Sequence, residues 1–385
     1  MNKDDFKNRA GRYISQTTGY KAFIPANLPP VPPIIFEPEL YNLLSNADRA
    51  IGRLDGITFH HPSCFSISMF ILSEMYARKE AVMSSQIEGT QASLIDIFDP
   101  ELTGERSKDV EEVINYIKAT EQGINLLNKL PVSIRLIKEI HNTLLRGVRG
   151  GTKSPGEFRK SQNWIGVPGS TLSTASYVPP PPHEMMQALD KLEKFIHTED
   201  ELPVLIKTAL IHAQFEMIHP FLDGNGRIGR LLIVLFLLER GVLKHPMLYL
   251  SYFFKKNRQE YYDRLTNIHK NGDWEGWIKF FLKGVSEVST QAVETAGKIM
   301  DLQDRDKEQL INDSKAIMLL NFLFQKPLIT VQDVKEKMSV SDSSARRLIS
   351  KLVDKAILVE TTGYQRNRRF IYSDYFDILR EGTEL

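Results

Sequence analysis

The sequence contains a single cysteine, Cys64, among its 385 residues. One cysteine excludes an internal disulfide and is typical of a protein that folds in a reducing compartment. Net charge is also nearly absent, because 49 basic side chains balance 48 acidic ones to a formal charge of +1. The chain as a whole therefore does not attract nucleic acid or an anionic membrane, and any basic surface must be local.

Long apolar runs are missing as well. No stretch reaches the roughly 18 uncharged apolar residues that a membrane span requires, and the opening segment MNKDDFKNRAGRYIS lacks the apolar core of a signal peptide. We therefore expect a soluble, cytoplasmic protein without membrane contact. The length of 385 residues favours two or three structural units over one.

Helical periodicity dominates the chain and predicts a mainly α fold. The proline-rich stretch IPANLPPVPPIIFEPEL should run extended over a surface, because proline removes backbone donors. We expect four regions in chain order. They are an N-terminal helical region over residues 1–110, a helical core over residues 111–290, a helical connector over residues 291–312 and a terminal unit over residues 313–385.

The terminal unit combines three short helical segments with the strand-like stretch LVETTGYQRNRRFIY, which turns at Gly363. Three helices followed by a hairpin is the order of a winged helix-turn-helix. The stretch SDSSARRLISK would be the recognition helix, with Arg346, Arg347 and Lys351 exposed. The wing would carry Arg366, Arg368 and Arg369. Acidic neighbours dilute this surface, so the pattern leaves both DNA and protein open as partners.

Between two helical stretches lies a long loop, GGTKSPGEFRKSQNWIGVPGSTLSTASYVPPPPHEM, rich in glycine, proline, serine and threonine. Apolar residues stand at its two shoulders, with Trp164 and Ile165 on one side and Tyr177 on the other. This pattern predicts a small β-hairpin that is longer than a connector needs. Long ordered loops of this kind are often functional.

The segment HPFLDGNGRIGR, residues 219–230, separates two apolar helical runs. Gly224 and Gly226 allow successive backbone N–H groups to point in one direction, and a helix that begins near Arg227 adds its own free N–H groups. Such a nest at a helix N-terminus binds anions, most naturally a phosphate.

The charged side chains around this nest suit the same ligand. Arg227 and Arg230 are three residues apart and lie on one side of the helix start, where guanidinium groups match phosphate oxygens. Asp223 can hold Mg²⁺, which proteins share between a carboxylate and nucleotide phosphates. His219 can accept a proton near neutral pH. Taken singly, each of these residues is typical of a turn or a solvated helix, but their succession favours a phosphate site. The segment is not a Walker A loop, because it has no lysine, and it lacks the ligand spacing of a zinc site.

The segment resembles the signature HxFx[D/E]GNGRxxR of the Fic family and matches it at every defined position. The resemblance extends over roughly residues 20–290, including the proline-rich stretch and the SQNWIG…YVPPPP loop. It implies a helical core with a small hairpin flap. It also implies transfer of AMP from ATP to a Ser, Thr or Tyr hydroxyl of a target protein, with release of pyrophosphate.

The resemblance assigns a role to each residue of the segment. His219 would be the general base that deprotonates the hydroxyl, and Asp223 would hold Mg²⁺ on the phosphates. Arg227 would support the leaving phosphates and Arg230 would meet the γ-phosphate. The diphosphate oxygens would be cradled by Gly224, Asn225 and Gly226.

A second motif, SSQIEG, places Ser84 and Glu88 on one face of an apolar helix that ends near Gly89. Such a motif is weak alone, and a solvated glutamate before a glycine cap is the alternative. The resemblance implies an inhibitory helix over about residues 70–89, in which Glu88 pairs with Arg230 and ATP binds only unproductively.

Two further expectations concern the nucleotide and the target. In EYYDRL, Tyr261 and Tyr262 are candidates for the adenine pocket, with core packing as the alternative. The flap shoulders Ile165 and Tyr177 would position an extended target segment by strand addition.

The partners expected are a hydroxyl-bearing target protein and the chain itself by self-modification, with a homodimer left open. Two other functions also stay open. One is a DNA-binding regulator that senses nucleotide without turnover, and the other is an enzyme of this fold that transfers another nucleotide or phosphate-containing group.

Overall fold

A computed structural model describes residues 8–17, 19–57, 69–98, 107–363 and 368–384, so Cys64 and Arg366 lie outside the described residues. This part of the chain is mainly helical, with five short strands. The first helices are α1 (Pro38–Gly56), α2 (Met69–Ile87), α3 (Leu94–Phe98), α4 (Lys108–Leu127) and α5 (Ile134–Leu144). The next are α6 (Pro182–His197), α7 (Val204–Ile218), α8 (Asn225–Glu239), α9 (Ser251–Lys256), α10 (Arg258–Asn271) and α11 (Trp274–Gln309). The last are α12 (Ser314–Leu323), α13 (Val331–Met338), α14 (Asp342–Asp354) and α15 (Ser373–Arg380).

Helices α7 and α8 form the centre of the molecule and pack against each other. Both are buried on almost every side, as expected for helices that are apolar all round. Helix α4 packs against α8 so closely that a Cβ on Gly123 would lie 2.9 Å from Leu235. The Trp277 indole of α11 donates to the Ala209 carbonyl of α7 over 2.9 Å. The segment between α7 and α8 is therefore fixed by packed helices on both sides.

Helix α11 is one continuous helix of 36 residues. The boundary expected at residue 290 and the connector expected over residues 291–312 fall largely within it. The apolar stripe that faces α1 simply continues, through Val288, Ala292, Ala296 and Ile299. The core and the terminal unit are thus joined by a rigid helix.

The N-terminal part contains a hairpin that the sequence did not predict. Strands β1 (Gly11–Ser15) and β2 (Lys21–Pro25) pair antiparallel, with Gly11 opposite Pro25. Tyr13 and Phe23 stack edge to face across the pair at 5.1 Å, and the Phe23 amide donates to the Val178 carbonyl over 2.9 Å. The proline-rich stretch that follows has no helix or strand before α1, as predicted.

The loop predicted as a hairpin flap is held together by one antiparallel bridge. Ile165 and Tyr177 exchange two backbone hydrogen bonds, of 2.8 and 3.1 Å. Ile165 is 40% exposed, whereas Tyr177 is buried and its hydroxyl donates to the Met217 carbonyl over 2.7 Å. The outer shoulder of the flap is therefore exposed and the inner shoulder is part of the core.

The terminal unit contains α12, α13 and α14 beside a three-stranded antiparallel sheet in the order β3 (Leu328–Thr330), β5 (Arg369–Ile371), β4 (Val359–Glu360). The predicted hairpin corresponds to β4 and β5, and β3 is an additional strand. Helix α15 was not predicted either; it packs against α2 and α11. The interpretation of this unit as a winged helix-turn-helix stays a prediction.

None of the described helices combines the length and apolar character that crossing a membrane requires. The most apolar helix, α7, has 15 residues and lies in the protein core.

Candidate active site

The turn that follows α7 presents His219 at the edge of the core. Its backbone is left-handed, with φ 48° and ψ 60°, and its amide closes the helix on the Phe215 carbonyl. Such a conformation is uncommon for a residue with a side chain, and the proline at position 220 prevents the helix from continuing. The residue as a whole is half-buried, and its Nδ1 is buried without a hydrogen-bond partner among the described residues.

The nest predicted between the two helices is formed around Gly224. This glycine caps α8 with φ 79°, so the first N–H groups of the helix are left without intrahelical partners. The side chain of Asn225 turns inward, where it accepts from the Phe221 amide at 2.8 Å and donates to the Phe221 carbonyl at 2.9 Å. Asn225 therefore fixes the loop, and only its backbone is left to meet a ligand.

Arg227 is 1% exposed and lies between two acids. Its guanidinium is 3.4 Å from the Glu112 carboxylate and 3.6 Å from Asp223. Glu112, which the sequence analysis missed, is itself buried on α4, accepts from the Thr90 hydroxyl at 2.9 Å and also pairs with Arg149. A buried cation needs such neutralisation. Glu112 fixes Arg227 beneath the nest.

Arg230 is 2% exposed, and its bonds run to Ser84 of α2 and to Glu88, the residue that directly follows this helix. Its Nε donates to the Ser84 hydroxyl at 2.9 Å, and its Nη2 donates to the Ser84 carbonyl at 3.0 Å and to Glu88 Oε1 at 2.7 Å. The same Glu88 oxygen stands over the nest, because a Cβ built on Gly226 would be 2.4 Å from it. The Glu88 carboxylate thus binds Arg230 and at the same time fills the space above Gly226.

Electrostatics hold this pair in its charged form. Burial alone would raise the pKa of Glu88, but the charge and hydrogen bond of Arg230, with help from the charge of Arg227, outweigh it and lower that pKa. Burial likewise opposes the charge of Arg230, yet Glu88 raises its pKa. Glu216, one turn before His219, has no such bond, and burial raises its pKa to about 7.

His219 is neutral at physiological pH. Burial and then the charge of Arg159 lower its pKa to about 4, against the opposing effects of the Glu216 carbonyl and the Glu88 carboxylate. A neutral imidazole has a free nitrogen that accepts a proton. The side chain therefore has the protonation state that a general base requires.

Asp223 is the only carboxylate of the predicted motif, and its side chain is 36% exposed. Its backbone carbonyl lies 3.0 Å from His141 Nε2, and the Gly156 amide donates to the other ring nitrogen over 2.9 Å. His141 therefore donates to Asp223 as a neutral ring stacked on Phe221 at 3.6 Å, a support that sequence reasoning missed.

No group of three or more potential metal ligands occurs among the residues that the structure describes. The single carboxylate of Asp223 nevertheless fits Mg²⁺, because that ion commonly takes one protein carboxylate and completes its shell with phosphates and water. Gly150 approaches the Asp223 carboxylate closely, since a Cβ there would be 2.8 Å from Oδ2. The carboxylate thus lies against Gly150, which lines a surface recess together with Arg149.

The two candidate adenine-pocket tyrosines differ in their surroundings. Tyr261 is 1% exposed, stacks on Phe254 at 4.5 Å and donates its hydroxyl to His212 over 3.0 Å. Tyr262 is 38% exposed. Burial raises the pKa of Tyr262, with Glu88 adding to the effect and Arg230 opposing it. The exposed ring beside the ion pair is therefore the one that remains predicted for nucleotide contact.

The basic residues of the terminal unit are mostly paired. Arg346 bonds Asp342 at 2.7 Å, Lys351 bonds Asp313 at 2.7 Å, and Arg368 pairs with Glu360. Bonds of this kind reduce the positive potential that phosphate contacts depend on.

Comparison with known proteins places these residues in a family. A family model described as "Fic/DOC family N-terminal" matches residues 41–125, and one described as "Fic/DOC family" matches residues 131–237. A probable protein adenylyltransferase of Aquifex aeolicus is 29% identical over 194 residues, which are 49% of this chain and 53% of that protein. The protein adenylyltransferase Fic of Drosophila grimshawi is 30% identical over 169 residues, 43% of this chain and 30% of that protein.

The chain thus spans about half or less of the length of these two relatives. A crystal structure of a Fic family protein from Desulfovibrio desulfuricans superimposes with a TM-score of 0.56 over 88% of this chain and 97% of that chain, at 19% identity. This likeness concerns the fold.

His212 beneath the site predicts an acid-sensitive core. Its Nδ1 donates to the Gly229 carbonyl over 2.9 Å, and burial lowers its pKa from 6.5 to about 3. The neutral ring therefore contributes stability that is complete above pH 6.5 and is lost as pH falls. Between pH 6.5 and 4 this amounts to about 3 kcal/mol at 1.36 kcal/mol per pH unit. In chemical denaturation, the stability gap between wild type and His212→Gln should shrink by about that amount on acidification to pH 4; a constant gap contradicts the assignment.

Proposed function

The chain belongs to the Fic/DOC family, and on this premise we propose that it is a protein adenylyltransferase, which transfers AMP from ATP to a Ser, Thr or Tyr hydroxyl of a target protein. The observation that carries the proposal is the placement of a neutral histidine, a backbone nest and two buried arginines around one turn. These are a base, an anion site and cations for a triphosphate.

The reaction follows from these groups. The target hydroxyl oxygen attacks the α-phosphorus of ATP while His219 accepts its proton. The bond from the α-phosphorus to the bridging oxygen breaks, and pyrophosphate leaves with the bonding electron pair. Backbone N–H groups at the start of α8 stabilise the charge that develops on the phosphates.

Each arginine of the motif has a distinct part in this proposal. Arg227, fixed by Glu112, supports the leaving phosphates from below the nest. Arg230 meets the γ-phosphate once Glu88 has moved away. Asp223 would hold Mg²⁺, which neutralises phosphate charge and orients the chain of phosphates.

Helix α2 is the proposed inhibitor. Its Glu88 carboxylate bonds Arg230 at 2.7 Å and stands against Gly226, so it competes with phosphate oxygens for the same donors. Ser84 strengthens the contact from the preceding turn through two further bonds to Arg230. ATP then binds only in a pose that keeps the α-phosphate from the hydroxyl.

The flap is the proposed docking element for the target. Ile165 is exposed and its bridge to Tyr177 presents an extended edge, which suits strand addition by a target segment. Self-modification of the chain would use the same chemistry.

The alternative of a DNA-binding regulator has less support. The basic residues of the terminal unit are largely paired within it, and a pure sensor has no use for the neutral base at His219. The choice among donor nucleotides depends on the surroundings of Tyr262.

Removal of the inhibitory carboxylate should activate the protein. In Glu88→Gly, Arg230 is released for the γ-phosphate, and self-modification measured with ATP labelled on the α-phosphate should rise at least tenfold, which corresponds to about 1.4 kcal/mol. The matched control is Glu74→Gly, which changes another glutamate of α2 that pairs with Arg78. Equal rates in Glu88→Gly and wild type would refute the inhibitory role. Addition of Arg230→Ala to Glu88→Gly should remove most of the gain.

Loss of the base should separate binding from chemistry. His219→Ala in the Glu88→Gly background should abolish transfer and keep ATP affinity within about threefold by calorimetry, because the nest and the arginines stay in place. The exposed His183 supplies the control variant His183→Ala, which should transfer normally. Undiminished transfer by the His219 variant is incompatible with the proposal.

A further inference from the structure

Arg159 is a buried cation that no acid neutralises among the described residues. Its side chain is 2% exposed, and all of its hydrogen bonds there run to backbone carbonyls. Burying a charge without an opposite charge is costly, and burial lowers the pKa of Arg159 to about 10, which still leaves it protonated at neutral pH. A residue that is kept at such a cost is a candidate for function.

The carbonyls that Arg159 binds belong to three separate segments. Its Nε donates to the His219 carbonyl over 2.9 Å, its Nη1 to the Ser161 carbonyl over 3.3 Å and its Nη2 to the Pro180 carbonyl. The Arg159 amide adds a bond of 3.0 Å to the Pro220 carbonyl. Ser161 and Pro180 are the two feet of the flap. One guanidinium therefore cross-links both feet of the flap to the turn that carries the histidine.

That turn needs such support. His219 has a left-handed backbone, which for a residue with a side chain persists only when the surroundings fix it. Arg159 binds its carbonyl directly. The charged side chains that act on His219 are Arg159 from this loop and Glu88 from α2, and the Glu216 carbonyl of α7 also contacts it.

From this geometry we propose that Arg159 is a positioning residue for the transfer reaction. It fixes the orientation of His219 and holds the flap in the same frame, so that a target hydroxyl presented by the flap meets the base. The inference rests on the proposed function and adds a determinant outside the motif.

The test compares Arg159→Lys and Arg159→Gln in full-length Glu88→Gly protein. Lysine keeps the charge but not the planar set of donors, whereas glutamine loses the charge. Both should lower the rate of self-modification at saturating ATP at least tenfold and leave the KM for ATP within about twofold, because Arg159 is not part of the nest. Only Arg159→Gln should also move the acidic limb of the pH profile to higher pH, by about one pH unit, since loss of a nearby cation makes protonation of His219 easier.

Two results would overturn the inference. One is a folded Arg159→Gln that transfers at the parent rate, and the other is an acidic limb that is the same in the two variants. Should Arg159→Gln fail to fold, Arg159→Lys decides alone, because it must keep the limb and lose rate. The His219 titration midpoint by NMR gives the same comparison without transfer, so a failure of the parent protein to transfer AMP counts against the proposed function only.

A second feature, independent of Arg159, concerns residues 381–384, which lie on the inhibitory helix α2. Thr383 is 2% exposed, and its carbonyl accepts from the Gln86 amide over 3.0 Å. Gln86 also accepts from Lys255 at 2.7 Å, and Lys255 donates to the Glu384 carbonyl. Gln86 lies between Ser84 and Glu88, the two residues that hold Arg230. The segment thus touches the motif from the side opposite to the active site.

Gly382 shows how closely this segment fits. It has φ 81°, and a Cβ there would lie 2.2 Å from the Tyr252 ring and 3.5 Å from Met83 of α2. Helix α15, which leads into the segment, packs against α2 as well, and its Phe376 meets Phe98 of α3 edge to face at 6.3 Å. The end of α2 is therefore covered by residues of the terminal unit.

We infer that residues 381–384 hold α2 in its inhibitory position, and that their displacement raises the rate of AMP transfer. This inference also rests on the proposed function. Its physical basis is that the covering segment bonds to Gln86 and excludes water from the last turns of α2. Ser84 and Glu88 reach Arg230 only when these turns stay in place.

Gly382→Ala in the full chain is the test. The added methyl group collides with Tyr252 and should displace the segment, so self-modification should rise severalfold while Glu88→Gly combined with Gly382→Ala shows no further gain over Glu88→Gly. Gly363→Ala is the matched control, because Gly363 also has positive φ, 63°, but no atom within 4 Å of an added Cβ. Gln86→Leu, which removes the bonds to Thr383 and Lys255, should act in the same direction.

Hydrogen exchange of the α2 amides shows whether Gly382→Ala has loosened this helix. Faster exchange of α2 amides in Gly382→Ala with wild-type transfer, or equal activation by Gly363→Ala, would contradict this second inference. An inactive Glu88→Gly would instead count against the proposed function.

Discussion

The guanidinium of Arg230 is buried, so its N–H donors need oxygen acceptors in place of water, and this constraint governs the site. In the structure helix α2 supplies the acceptors, two from Ser84 and one from Glu88. Phosphate oxygens offer the same chemistry, as planar donors of arginine bind carboxylate and phosphate alike. Glu88 and a phosphate group are therefore competitors for one cation, and the position of α2 decides which of them Arg230 holds.

The three buried arginines around the turn are neutralised in different ways, which suits their different parts. Arg227 has Glu112 beneath it, a permanent structural partner on α4. Arg230 has a partner on a separate helix that a ligand can replace. Arg159 has only carbonyls, so its positive charge remains unneutralised beside His219 and favours the neutral imidazole.

Local sequence predicted what local geometry decides. The glycines of residues 219–230 predicted a nest at a helix start, and the spacing of Ser84 and Glu88 predicted their common face; both are present, as is the mainly helical fold. Sequence pattern missed two partners that are distant along the chain, since Glu112 is 115 residues from Arg227 and Arg159 is 60 from His219. The pairing of Glu88 with Arg230, 142 residues apart, was expected only through the family resemblance. Pattern also cannot tell that the Asn225 side chain turns inward to Phe221, or that β1 and β2, with only five residues each, pair because neighbouring loops cover them.

Helix α11 spans the distance between the core and the terminal unit. Its 36 residues, at 1.5 Å of rise each, make a rod of about 54 Å. Near its start Trp277 is bonded to the core helix α7, and near its end Asp306 accepts from Tyr372 of the terminal unit. For a rod of this length, a tilt of about two degrees at one end displaces the other by about 2 Å, which exceeds the tolerance of a hydrogen bond. Because α11 is continuous from Trp274 to Gln309 and packed along its length, the distance between its two bonded ends is set by one helix.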